Sequence, residues 1–119
     1  MTRLVLPYPP SINHYYGRSR NGRVYIKAQG KEYRELVWSM SRKCPDKYTE
    51  PVAVTFTLYP PDQRKRDLDN VLKAMQDALE YAGVIENDAL INDLRIVRAD
   101  PVKGGRVVCE IRVMEAAHV

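Results

Sequence analysis

Two helical repeats of apolar residues, separated by short β-branched runs, predict an α+β domain with a single small mixed sheet. The most regular strand pattern is residues 52–59, where apolar positions such as Val54 and Phe56 alternate with others until Pro60. The most regular helix pattern is residues 68–82, where apolar residues recur every three to four positions. The predicted order β-β-α-β-α-β-β packs two main helices on one sheet.

The N-terminal part of the chain predicts two short strands and a helix. Residues 4–6 form a strand that ends at the proline-rich segment 7–10, because proline cannot donate to a strand ladder. Residues 11–22, rich in Asn, Gly, Ser and Arg, are expected to be a loop before a second strand at 24–26. A helix begins at Ala28 and ends before Pro45. Its predicted apolar face consists of Tyr33, Leu36, Val37 and Met40.

The C-terminal part predicts the second helix and two further strands. Asp67 stands at the helix N-cap, and Gly83 stands where a helix-terminating glycine is usual. The apolar face of this helix consists of Leu68, Val71, Leu72, Met75, Leu79 and Ala82. Residues 90–97 and 106–114 are expected to form a hairpin through the turn at 103–105.

Positive charge is concentrated in the first half of the chain. The net charge is +4, but residues 1–66 hold thirteen Lys and Arg against five Asp and Glu, a balance of +8. This distribution favours a polyanionic partner such as nucleic acid; the alternative is a solvated basic face. The candidate DNA contacts are the cations Arg18, Arg20, Arg23, Lys27, Arg64, Lys65 and Arg66 and the aromatic residues Tyr15 and Tyr16, which stand among the arginines.

Composition excludes several other classes of protein. Residues 1–119 are enough for a single domain, and no apolar run approaches the ~18–20 residues that cross a bilayer. Two cysteines and two histidines form neither a disulfide framework nor a zinc-ligand set. We therefore expect a cytoplasmic, DNA-associated protein with no small-molecule cofactor.

Two carboxylates mark the start of the second helix. Asp67 and Asp69 lie two residues apart and directly follow three cations. Carboxylate oxygens are the ligands that Mg²⁺ prefers, and one or two of them suffice beside substrate phosphates and waters. Lys73, one turn further on, is placed to neutralise charge on a phosphodiester. The alternative is structural: acidic residues favour helix N-termini, and Asp69 and Lys73 form an ordinary i,i+4 pair.

Asp88 is a third candidate ligand, in the turn after the second helix. The helix from Asp69 to Ala82 is roughly 20 Å long. Residues 83–88 span at most about 17–20 Å when extended. Asp88 therefore reaches Asp69 within one chain only if this segment folds straight back along the helix. The alternative is that Asp88 is a turn residue.

The order of these motifs resembles that of a known family. The matching residues are Pro9-Pro10-Ser11, Asn13, Tyr15-Tyr16, Arg66-Asp67-Leu68-Asp69-Asn70, Lys73-Ala74, Asp77-Ala78-Leu79, Ala82-Gly83, Asp88-Ala89 and Lys103-Gly104-Gly105-Arg106. Together they resemble the RusA family of Holliday-junction resolvases over almost the whole chain. The turn that often reads Asp-Asp in that family is Asn87-Asp88 here, and the second position is retained.

The resemblance implies a fold, a reaction and a partner. It implies a small homodimeric endonuclease that uses Mg²⁺, with Mn²⁺ as a substitute, and resolves four-way DNA junctions by paired symmetric nicks in recombination and repair. It assigns metal ligation and catalysis to Asp67, Asp69 and Asp88 and a catalytic role to Lys73. The alternatives are a non-catalytic module that binds branched DNA, and a metal nuclease for another branched nucleic acid.

A homodimer also suits the symmetry of a four-way junction. The predicted face of the first helix (Tyr33, Leu36, Val37 and Met40) together with Trp38 is the expected contact surface.

Overall fold

The computed structural model describes residues 1–114 of the 119 in the chain. Its elements, in order, are β1 (Thr2–Leu6), α1 (Ile12–Tyr15), β2 (Tyr16–Arg18), β3 (Val24–Ile26), α2 (Ala28–Ser41), β4 (Val52–Tyr59), a 3₁₀ turn (Leu68–Val71), α3 (Leu72–Tyr81), a second 3₁₀ turn (Asp88–Leu90), β5 (Ile91–Arg98) and β6 (Arg106–Val113). The α+β class predicted from the sequence is confirmed.

A four-stranded mixed sheet forms the centre of the molecule. Its strand order is β1-β6-β4-β5, with β4 antiparallel to β6 and parallel to β5. β4 and β6 supply most of the buried side chains of the sheet, including Phe56 and Ile111, which are fully buried. Helices α2 and α3 pack on this face through residues such as Val37 and Met75. Among residues 1–114, no helix is long and apolar enough to span a membrane.

The segment expected to be a loop is ordered as a small separate unit. Residues 11–22 contain helix α1 and strand β2, and β2 pairs with β3 in an antiparallel ribbon. The prediction that residues 24–26 belong to the single sheet is therefore wrong. A strand of three residues is too short for its pattern of apolar residues to predict which strand it pairs with. We call residues 12–26 the arm.

The predicted hairpin between the last two strands is also wrong. β5 and β6 lie on opposite sides of β4, so the connection at 99–105 crosses the end of β4. The crossing is fixed by two backbone hydrogen bonds, from Ala99 N to Leu58 O at 2.8 Å and from Val102 N to Pro60 O at 2.9 Å. The turn residues correctly predicted that the chain reverses direction between β5 and β6. The two strands do not pair with each other, because each pairs with a different edge of the central strand β4.

Half of the predicted apolar face of α2 is solvent-exposed. Tyr33 and Val37 are buried in the core, whereas Leu36 and Met40 are almost half exposed. The expectation of a dimer contact built on all four residues is therefore wrong, because the two buried members already pack inside the monomer.

Helix α3 ends as the sequence predicts. Gly83 has a positive φ of 77°, and its N–H donates to Glu80 O at 3.0 Å. The N–H of Val84 donates to Leu79 O at 3.1 Å, which completes a Schellman motif. The chain then turns back so that Tyr48 and Ile85 form a bridge near the start of β4. The end of α3 is thereby fixed at the Val52 end of the sheet.

Gly30, in the first turn of α2, sits directly beneath the arm. A Cβ at this position would lie 2.7 Å from both Ile26 Cγ2 and the backbone oxygen of Tyr15. We expect Gly30→Ala to lower the free energy of unfolding by ~1–3 kcal/mol, because this overpacking outweighs the ~1 kcal/mol that alanine gains over glycine in a helix.

Urea denaturation followed by circular dichroism measures this change. Gln29→Ala, at the exposed neighbouring position, is the matched control and should leave the unfolding free energy almost unchanged. A Gly30→Ala protein more stable than wild type would contradict the close packing of the arm on α2.

Candidate active site and nucleic-acid interface

The two carboxylates predicted as metal ligands lie exposed at the start of the second helix. Asp67 occupies the N-cap position of the 3₁₀ turn with an extended backbone (φ −76°, ψ 139°), but its side chain makes no capping hydrogen bond. Asp69 lies within the turn and is also exposed. Both carboxylates are thus held near the same helix end with their oxygens toward solvent. The pair suits a hard cation that also takes phosphate oxygens and waters.

The loop before this pair is braced by a third carboxylate. Asp62 Oδ1 accepts hydrogen bonds from Arg66 Nη1 at 2.7 Å and from the N–H of Arg64 at 2.9 Å. These two donors hold the pKa of Asp62 well below its usual range. Arg98 donates to the backbone oxygen of Arg66 from strand β5. The loop that carries Asp67 is therefore tied to itself and to the sheet.

The three consecutive cations Arg64, Lys65 and Arg66 differ in what their side chains contact. The side chain of Arg66 is only 20% exposed, and its guanidinium binds Asp62 and lies 6.0 Å from the ring centroid of Tyr8. Arg66 thus positions the loop. Arg64 and Lys65 remain exposed, and both line a cavity of about 340 Å³ whose other walls include His14 and Asn70. These two cations, beside Asp67, remain the predicted phosphate contacts of the loop.

Lys73 faces the arm from the first turn of α3. It is exposed and borders the same groove as Asn13 and Lys27 of the arm region. The Lys27 Nζ donates to the backbone oxygen of Asn13 at 2.8 Å, which ties the end of the ribbon to α1. The predicted DNA contacts Arg18, Arg20 and Arg23 are exposed near the tip of the ribbon. The arm thus carries its cations to the side of α3 on which Lys73 lies.

Tyr15 does not belong to this exposed surface. Its side chain is fully buried, and its hydroxyl donates to Asp77 of α3. Burial and the neighbouring carboxylate together raise the pKa of Tyr15 far above its usual value. The prediction that Tyr15 stacks on bases is therefore wrong. The sequence did not reveal its burial, because Tyr15 stands in a polar segment that shows no apolar repeat.

The carboxylate of Asp77, which binds Tyr15, also binds Arg34 of α2. Arg34 Nε donates to Asp77 Oδ2 at 2.7 Å, and Arg34 Nη2 donates to Oδ1 at 3.1 Å. The guanidinium lies 4.7 Å from the ring centroid of Tyr81. Asp77 therefore joins the arm, α2 and α3 in one partly buried cluster. The sequence predicted no role for Arg34, and it marked Asp77 only as part of the family-like motif Asp77-Ala78-Leu79, without a partner or a function.

Tyr16 lies beside α3, within reach of the negative charges of Asp77, Glu80 and Asp88. Burial, and then the negative charge of Asp77, raise the pKa of Tyr16 to about 12, with smaller contributions from Asp88 and Glu80 and an opposing one from Arg34. Its ring centroid is 4.6 Å from that of Tyr15. Tyr16 is partly exposed, so a contact with a base remains a prediction.

Asp88 lies at the opposite end of α3 from the Asp67–Asp69 pair. Its N–H donates to Glu80 Oε1 at 3.1 Å, next to the last residue of the helix. The ten residues of α3 separate its two ends by about 15 Å at ~1.5 Å per residue. Accordingly, no group of three potential metal-ligating His, Cys, Asp or Glu side chains forms within residues 1–114. The structure brings Asp67 and Asp69 together, but it does not bring Asp88 to them.

An α+β fold that presents paired carboxylates beside an exposed basic arm is typical of a protein that acts on nucleic acid. The family described as "Endodeoxyribonuclease RusA" matches residues 7–114. The chain belongs to this family, and the resemblance noted from its motifs is confirmed.

Individual relatives are similar over nearly the whole chain. The chain is 39% identical over 116 residues to "Crossover junction endodeoxyribonuclease rusA" of Enterobacteria phage HK97, covering 96% of each protein. It is 40% identical over 113 residues to the protein named "Crossover junction endodeoxyribonuclease RusA" of Shigella sonnei, and 39% identical to that of Escherichia coli K12, covering 93% of each protein in both cases.

The Asp77 cluster yields a stability prediction. We expect Asp77→Asn to lower the free energy of unfolding by about 2 kcal/mol, because a partly buried guanidinium and a buried hydroxyl lose their anionic partner. Chemical denaturation measures the loss, and limited proteolysis should show earlier cleavage within the arm.

Glu35→Gln is the matched control. Glu35 accepts a hydrogen bond from Tyr81 on the same pair of helices, but at an exposed position. This change should leave both measurements unchanged. Equal stability of the two variants would show that Asp77 does not hold the arm.

Proposed function

We propose that this protein is a Mg²⁺-dependent endonuclease that resolves four-way DNA junctions by paired nicks. The observation that carries the proposal is the exposed Asp67–Asp69 pair. Asp67 lines one cavity with the cations Arg64 and Lys65, and Lys73, on the helix that follows the pair, lines the groove beside the arm. The family match and the relatives named crossover junction endodeoxyribonucleases support the choice of substrate.

The carboxylate pair is suited to a divalent cation. Asp67 and Asp69 offer hard oxygen donors, and their side chains form none of the ion pairs seen within residues 1–114. When bound there, Mg²⁺ would polarise the scissile phosphate and lower the pKa of an attacking water. Mn²⁺, which also prefers oxygen ligands, is expected to substitute.

The other residues of the site act on the DNA itself. Lys73, on the helix that follows the pair, is placed to neutralise negative charge that develops on the phosphodiester. Arg64 and Lys65 on one side, and Arg18, Arg20, Arg23 and Lys27 on the other, supply positive charge for the flanking phosphates. Because Arg66 and Asp77 hold the loop and the arm in place, these cations approach DNA from fixed positions.

Removal of the ligand carboxylates tests the chemistry. We expect Asp67→Asn, Asp69→Asn and Asp88→Asn each to lower the rate of nicking of a synthetic four-way junction by at least ~10²-fold, since each removes charge that holds the cation. Junction binding, measured by gel shift, should persist, because loss of negative charge does not impair phosphate contacts.

Asp93→Asn provides a control carboxylate that is exposed on strand β5, away from the pair. It should cleave as wild type does. Cleavage should also stop in EDTA and return with Mg²⁺ or Mn²⁺. A wild-type protein that binds junctions but never nicks them would instead favour the non-catalytic binding module.

The position of Asp88 supports a shared active site in a homodimer. Helix α3 is about 15 Å long, and Asp88 lies at the end of it opposite the Asp67–Asp69 pair, so we infer that the Asp88 that joins the pair comes from a second copy of the chain. Two such sites related by a two-fold axis would cut two strands symmetrically, as a junction with two-fold symmetry requires.

A mixing experiment separates this arrangement from a site within one chain. Co-expressed Asp69→Asn and Asp88→Asn subunits, carrying different tags, should form a heterodimer with one intact site, made of an unaltered pair from one subunit and an unaltered Asp88 from the other. The tandem-purified heterodimer should therefore nick junctions, although each homodimer is inactive.

Two outcomes would overturn the shared site. An inactive heterodimer would show that all three carboxylates act within one chain. A single 13.7 kDa species in sedimentation equilibrium at micromolar concentration would exclude the dimer itself.

A further inference from the structure

A groove of about 560 Å³ runs between the arm and the first turn of α3. Its volume lies within the ~300–1,000 Å³ range of ligand sites. Its walls combine apolar surface, from Val24 and Tyr25, with three cations. Arg18 and Lys27 come from the arm side and Lys73 comes from α3; within residues 1–114, no carboxylate lines the groove. Such a lining suits a ligand that joins an aromatic ring to negative charge.

Tyr25 forms the aromatic wall and is held in place from behind. Its ring lies against Gly17 of the paired strand: a Cβ at Gly17 would come within 2.5 Å of Tyr25 Cζ. The glycine thus lets the ring lie flat on the ribbon, while half of the residue remains exposed. An exposed aromatic face of fixed orientation is a stacking surface for a nucleobase.

The groove is also preformed. The hydrogen bond from Lys27 Nζ to Asn13 O closes its base at 2.8 Å, and Ser19 and Arg23 close the ribbon tip through a backbone hydrogen bond of 2.8 Å. Beneath it, the Tyr15–Asp77–Arg34 cluster fixes the arm on α3. A ligand therefore meets walls whose relative position does not have to be ordered on binding.

We propose that this groove binds one unpaired base of the branched DNA, stacked on Tyr25, with its flanking phosphates on Arg18 and Lys73. The inference rests on the proposed function, because Lys73 places this nucleotide beside the phosphate to be cut. Branched DNA supplies such a base at the branch point, because continuous stacking is interrupted there and extrusion of a base costs least. Tyr25 therefore helps to select the position of the cut relative to the branch point.

A thermodynamic cycle between protein and DNA tests the stacking. Junctions with a single abasic site at each successive position around the branch point are titrated with Asp69→Asn protein, which binds without cutting, and with the Asp69→Asn/Tyr25→Ala double variant. At one position, removal of the base should weaken binding to the Asp69→Asn protein by about 5- to 150-fold, the equivalent of ~1–3 kcal/mol for one stacked base. With Tyr25→Ala, removal of that base should cost almost nothing further.

Two matched variants identify the cause. Tyr25→Phe keeps the ring and should keep the coupling to within about twofold. Leu94→Ala removes a large exposed apolar side chain on β5, outside the groove, and should leave binding to every junction unchanged. The distribution of cuts by otherwise wild-type protein should shift in Tyr25→Ala and not in Leu94→Ala.

Each outcome decides the proposal. If base removal costs the same in Tyr25→Ala as in the Asp69→Asn protein at every position, the groove holds phosphates only and the base site is refuted. Failure of the proposed function would give a different result. In that case wild-type protein would not cut unmodified junctions, whereas the stacking on Tyr25 is still tested by the binding measurements.

Discussion

A single carboxylate, that of Asp77, joins the three parts of the molecule on which the candidate site depends. The Asp77 carboxylate accepts hydrogen bonds from Tyr15 of the arm and from Arg34 of α2, and Asp77 itself belongs to α3. The arm itself contributes only a one-turn helix and two three-residue strands, which bury too little to fold alone. Its position relative to Lys73 is therefore set by this polar cluster and by the close packing of Gly30 beneath it.

The candidate site follows from how α3 is placed on the sheet. Strand β4 leads into the loop at 60–67, so Asp67 and Asp69 lie at the Tyr59 end of the sheet. The helix then runs back toward the Val52 end, where the bridge between Tyr48 and Ile85 holds the chain before Asp88. The two groups of acids are separated because a helix of ten residues is rigid and about 15 Å long. The proposed shared site between two copies would overcome this separation.

Charge in the chain is used in two distinct ways. Asp62 with Arg66, and Asp77 with Arg34, form ion pairs that fix the loop and the arm. Of the cations that remain exposed, Arg64 and Lys65 share a cavity with Asp67, and Lys73 lines the groove beside the arm. The overall excess of positive charge shown by composition is thus partly internal, and only the exposed part is free to bind phosphates.

The sequence by itself determined the α+β class and the approximate limits of α2, β4 and α3. It also determined the glycine that ends α3 and the proximity of Asp67 to Asp69. Each of these features depends on residues that lie within a few positions of one another in the chain. Spacing offered Lys73 and Asp88 only as candidates, and the resemblance to the family implied their roles. Only the tertiary structure decided that β5 pairs with β4, that Tyr15 is buried, that Arg66 serves its own loop, and that Asp88 lies beyond reach of the pair. These features depend on which surfaces meet across the fold. A central strand forms hydrogen bonds along both of its edges, and the partly buried carboxylate of Asp77 binds partners from two other elements.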